Sequence, residues 1–169
     1  MEKTAVQKLA GALKVLVTIT LVCNLVALLL VPGMSLMKGP EELLALTPYE
    51  NPLEVPLRVG IAFVLSWGWV WTAGVYEVVL ALFLLFCGIC TAVILWQGRR
   101  VLGTILTGAP FRAENGVSLR RAAVCCFLIA AAALARVVWG LFYYGSVAPL
   151  LTYNALFVPI FILGGLLCL

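Results

Sequence analysis

The chain has 169 residues, 64% of them hydrophobic and only 11% charged, and a mean hydropathy of +1.16, which lies far outside the soluble globular range. Histidine and aspartate are absent. That removes the usual haem ligands, the zinc catalytic sets and the Ser-His and Cys-His nucleophile systems. The expectation is a membrane protein that is not an enzyme and uses no cofactor or metal. Its net charge of +4 records topology rather than direct nucleic-acid binding.

Four apolar segments are long enough to cross a hydrocarbon core of about 30 Å, which takes roughly 20 helical residues. They fall at residues 13–31, 77–96, 121–142 and 149–169. The first follows Lys3, Lys8 and Lys14, as a signal peptide would. Its apolar run is longer than the usual h-region of about 7–15 residues, however, and "VPGMS" is a poor cleavage site, so it reads as a retained span.

The connection 32–76 carries Lys38 and Arg58 against Glu41, Glu42, Glu50 and Glu54, whereas the N-terminal flank and residues 99–121 are rich in Lys and Arg. By the positive-inside rule the first belongs outside, and the other two are cytoplasmic. Both termini of a multi-pass inner-membrane protein are then expected in the cytoplasm. Within 32–76, the stretch 59–75 alternates bulky Val59, Ile61, Phe63, Leu65, Trp67, Trp69 and Trp71 with mostly small residues. Period two predicts a strand. A fifth span would also move the Arg-rich loop to the wrong side. An open strand edge cannot sit in lipid, so the expected element is a small extracytoplasmic hairpin. The competing reading is a helix continuous with the second span, about 54 Å long if it starts at Ile61.

Residues 97–120 form the expected cytoplasmic elbow. Gly108 fits a helix stop with Pro110 two residues beyond, and Asn115 or Ser118 fits as the cap of the next helix. Arg120 and Arg121 mark its entry into the membrane, and Phe111 dips into the interface or packs beneath the bundle. A basic loop that does no more than face anionic lipid would look similar.

Six cysteines, Cys23, Cys87, Cys90, Cys125, Cys126 and Cys168, fall in apolar helices and read as small buried hydrophobes. Cys87 and Cys90 form a CxxC, whose redox reading needs water and a positive neighbour that the apolar span does not offer. Polar residues inside the spans say more. Arg136 lies about 22 Å along the third span from Arg121, and an intramembrane charge needs a partner. Glu77, Asn24 and Asn154 lie at similar depth, so a hydrogen-bonded cluster of Asn24, Glu77, Arg136 and Asn154 is expected, either as an inter-helix clasp or as a small-ligand pocket. The small surface of residues 122–135 and Gly164-Gly165 favours close helix packing, either within the bundle or in a homo-oligomer.

The fold expected is therefore an all-α membrane protein, a four-transmembrane-helix bundle in a single membrane domain with a small β element between spans 1 and 2. The elbow pattern Gly108, Pro110, Phe111, Asn115, Leu119 and Arg120, leading into a span of a four-span chain, resembles the bacterial domain-of-unknown-function 2975 family. The resemblance implies an inner-membrane protein often encoded beside a small helix-turn-helix regulator. A regulatory or sensory role follows as an expectation, with Arg112, Glu114, Asn115 and Arg120 meeting a soluble DNA-binding partner. The alternative is a subunit of an oligomeric transporter or channel that uses the outer polar cluster.

Overall fold

The computed structural model describes residues 5–36, 60, 67–68, 70–72, 74–109, 111–145 and 153–169. In chain order its elements are α1 (Ala5–Leu36), a 3₁₀ turn (Val70–Thr72), α2 (Val75–Leu106), α3 (Ala113–Tyr144) and α4 (Tyr153–Cys168). All regular structure among the described residues is helical. The runs Ala5–Pro32, Val75–Leu106 and Ala113–Tyr143 are long and apolar enough to cross a membrane. Helices α1, α2 and α3 have 32 residues each, about 48 Å of rise, so each is longer than the hydrocarbon core. Helix α4 has 16 residues and rises about 24 Å. It falls short of a full span over its described length, and residues 146–152 lie outside the described set.

The helices run beyond several of the expected span limits, and two differences bear on the loops. The third helix begins at Ala113, eight residues before the expected 121. Its first two turns are polar and so carry no hydropathy signal, yet they include good helix formers and a first-turn Glu114 that suits the helix dipole. The second difference concerns 59–75, where no described residue is in a strand. Gly60, Trp67 and Gly68 are helical, and Val70–Thr72 forms the 3₁₀ turn. Helical turns satisfy backbone groups locally, whereas a short strand would leave an edge to be covered beside lipid.

The chain divides into two compact units, Met1–Leu25 with Cys87–Leu169, and Val26–Phe86. In the first, α3 is organised by its small residues. Ala122, Ala123, Cys126, Ile129, Ala130, Ala133 and Val137 are buried and recur every three or four positions, which lays them along one face. Helix α4 packs on α3 through its glycines. A Cβ on Gly164 would lie 3.9 Å from Cys126 Sγ, and one on Gly165 only 2.9 Å from the Phe127 ring. Gly165 thus permits an approach that any side chain would block. The glycine pair thus packs one helix of the chain on another.

In the second unit Val31, Val70 and Ala81 form a buried cluster with Leu84 and Leu85 against it. Pro32 lies inside α1 and is fully buried. Proline removes one ladder hydrogen bond and strains the preceding turn. In that turn the Leu29 carbonyl accepts a hydrogen bond from Trp67 Nε1 at 3.0 Å.

Candidate functional site

The basic end of the first unit is built from three helices. Gly11 of α1 faces Leu106 of α2, with an added Cβ 3.8 Å from Leu106 Cδ2, and a Cβ on Gly103 would lie 3.5 Å from Lys14 Nζ. Farther along, Asn24 Nδ2 donates to the Gly88 carbonyl at 3.0 Å. Helices α1 and α2 are therefore antiparallel here, and the start of α1 lies beside the end of α2. Lys14 and the Arg-rich elbow share one end, as the charge distribution led one to expect.

The elbow itself is closed by backbone chemistry. Gly108 has φ +77°, a left-handed conformation that glycine adopts without steric cost. The Gly108 N–H donates to the Ile105 carbonyl and the Ala109 N–H to that of Thr104, both at 3.1 Å. This pair of bonds is the Schellman closure of a helix end, so the expected stop at Gly108 is where α2 finishes. Pro110 lies outside the described residues.

Neither Asn115 nor Ser118 caps α3. Its N-cap is Arg112, with φ −92° and ψ 141° and no side-chain cap bond. Asn115 instead reaches across to α2. Its Nδ2 donates to Thr104 Oγ1 at 2.7 Å, and Thr104 Oγ1 in turn donates to the Val101 carbonyl at 2.7 Å, with Asn115 Oδ1 3.1 Å away. Asn115 and Ser118 are both buried. An amide shielded from water makes a stronger contact than one at an exposed helix start, which is why the cross-helix partner wins. One turn back on α2, Arg100 meets Glu114 at 3.4 Å, with both side chains more than half exposed.

Around this pinned core the elbow presents several exposed groups. Phe111 is fully exposed, at 102%, so it does not pack beneath the bundle, and Arg112 and Glu114 are exposed beside it. Arg120 and Arg121 are exposed two turns into α3. With Val93, Val117, Val124 and Cys125 they line a largely apolar groove of about 450 Å³. A second cleft, of about 420 Å³, is lined by Lys14, Trp96, Arg99, Arg100 and Gly103.

The expected outer polar cluster is described in parts. Asn24 is bonded to Gly88 as above, and Arg136 is half-buried on α3; both belong to the first unit. Glu77 belongs to the second, in the first turn of α2. Its carboxylate folds back over Gly74, where an added Cβ would lie 2.5 Å from Oε2. The side chain of Asn154 lies outside the described residues.

All six cysteines are free thiols, with Cys90 and Cys126 buried. Cys90 on α2 lies beside Cys125 on α3 and Cys126 lies against Gly164, so both sit where helices meet. No group of His, Cys, Asp or Glu among the described residues could hold a metal ion.

Sequence reasoning missed Thr104, Gln97, and the cleft that Lys14 and Trp96 line together. Gln97 is buried, and its Oε1 has no hydrogen-bond partner among the described residues. It stands seven residues from Thr104, on the same face of α2. The available signal was a Gln and a Thr spaced by two turns in an apolar helix. No family model, no curated protein and no solved structure matches the chain.

Proposed function

We propose that the protein is a non-enzymatic integral membrane regulator whose elbow docks a soluble cytoplasmic protein, as the resemblance to the domain-of-unknown-function 2975 family implies. In this reading the basic end faces the cytoplasm of a bacterial cell and the partner is a small helix-turn-helix regulator. In the same reading α4 belongs to a fourth span, which returns the C-terminus to the cytoplasmic side.

The observation that supports docking is the fully exposed Phe111 on a connection held by a Schellman closure and the hydrogen bond from the buried Asn115 to Thr104. An exposed aromatic ring on a preorganised backbone, next to the exposed cation of Arg112, has the composition of an interface anchor. Aromatic residues and arginine dominate such anchors, and a rigid scaffold lowers the ordering cost of binding. The test is co-purification of the full chain from native membranes of its own host. A small soluble regulator is expected with the wild type, and Phe111→Ser combined with Arg112→Glu should remove at least nine-tenths of it. Equal recovery with the variant sinks the docking role.

A further inference from the structure

We infer that the cleft between α1 and α2 is a binding site for the phosphate group of an anionic phospholipid, with Lys14, Arg99 and Arg100 as its cationic wall and Trp96 as its interfacial flank. Helix α1 has no charged residue after Lys14, and α2 has none between Glu77 and Arg99. Lys14 and Arg99 therefore mark the same boundary between apolar helix and water. The Lys14 ammonium lies over Gly103, 3.5 Å from where a Cβ there would be, and Lys14 and Arg99 line the same cleft, so the two marks come together in space.

The cleft has a volume of about 420 Å³, within the range of about 300–1,000 Å³ typical of small-ligand sites. Gly103 keeps it open, because a larger side chain at that position would project toward the Lys14 ammonium. Trp96 is exposed at the depth where tryptophan settles among headgroups, and the Arg99 guanidinium lies 6.0 Å from its ring centre. That contact orients Arg99 without neutralising it. Among the described residues neither Lys14 nor Arg99 is paired with a carboxylate, while Arg100 shares its charge with Glu114.

Two to three positive charges thus converge on one opening at the membrane surface. Basic pockets between spanning helices are where acidic headgroups bind. The phosphodiester oxygens would accept from Lys14 Nζ and the arginine N–H groups, and the acyl chains would lie along the exposed apolar faces of α1 and α2. This site is separate from the elbow tip at Phe111 and does not depend on the docking role.

The experiment titrates the detergent-purified full chain with phosphatidylglycerol, phosphatidylcholine and inorganic phosphate, reading bound lipid by native mass spectrometry. Phosphatidylglycerol should bind, and phosphatidylcholine should bind at least about tenfold more weakly. Lys14→Gln should weaken phosphatidylglycerol about fivefold to tenfold, whereas Lys8→Gln should change it less than twofold: Lys8 is the same residue type on the same helix end but lines no described cleft. Gly103→Leu fills the opening with every charge retained and should abolish the tight adduct. Lys14→Arg should restore binding, which separates a lost contact from a misfolded chain. Equal losses for Lys8→Gln and Lys14→Gln, with binding retained in Gly103→Leu, would show diffuse surface attraction and overturn the site. Inorganic phosphate that displaces the lipid and occupies the Gly103-sensitive site would overturn the lipid assignment.

Discussion

Between Leu106 and Ala113 the chain reverses through a left-handed glycine and two backbone closures, braced by the bond from the buried Asn115 to Thr104. In the second unit, the described part of the connection from α1 to α2 holds itself with Val31, Val70, Ala81 and one indole–carbonyl bond. The first link lies at an end rich in cations and the second beside buried apolar side chains, so the same task is done with directional polar contacts in one place and non-directional burial in the other. The difference predicts how each fails. Apolar burial tolerates a change of shape but not a change of polarity. A buried polar pair tolerates loss of both members better than loss of one.

The largest effect is expected at Val70, which is 1% exposed. Val70→Asp would bury a carboxylate among Val31, Ala81, Leu84 and Leu85 at a cost of about 3–5 kcal/mol. Thermal unfolding in detergent should show a large loss of stability, and amide exchange around Val31 and Ala81 should accelerate by at least a hundredfold. Unchanged exchange there means that the cluster does not hold the second unit.

A smaller effect is expected at the elbow. Thr104→Val leaves the buried Asn115 amide without this partner and should cost about 1–3 kcal/mol, and Asn115→Leu, which strips the half-buried Thr104 of its donor, should cost no more than that. The double variant should cost less than the sum of the singles, because the two apolar groups satisfy each other. Additive losses would mean that the pair is not a coupled contact, and the contrast between the two connections would collapse.

These two regions also differ in how far they could be read from sequence. Gly108 was legible because few residues other than glycine accept a left-handed backbone, and a helix stop states its requirement locally. The start of α3 was not, because Glu114, Asn115 and Ser118 look like loop residues until Thr104 is known to lie opposite. Thr104 was hidden in turn inside "VLGTIL", where a hydroxyl bonded to its own helix costs little and raises no signal. In 59–75 the alternation of bulky and small residues suggested a strand, yet Trp67 is helical and its indole reaches back to Leu29. Alternation says which side chains differ, not what satisfies the backbone between them. The expected basic end was legible as a charge pattern, but the cleft within it depends on Gly103 meeting Lys14 from another helix, a relation that no local window contains.

The smallest stability effect, and the most discriminating sign, is expected at Glu114. Its ion pair with Arg100 is 3.4 Å long with side chains 53% and 64% exposed, so it should contribute about 0–1 kcal/mol, with a similar small term from Glu114 in the first turn of α3. Glu114→Gln should thus lower thermal stability by no more than about 1.5 kcal/mol, and less in high salt. Arg100 also lines the cleft beside Lys14 and Arg99, and its guanidinium cannot be fully available to a carboxylate and a phosphate together. Releasing it should tighten phosphatidylglycerol binding about twofold to fivefold in the same titration that Gly103→Leu abolishes. Weaker binding in Glu114→Gln would mean instead that the carboxylate holds Arg100 in place for the lipid, making the elbow and the cleft one polar assembly in which a partner bound at the elbow changes what the cleft holds.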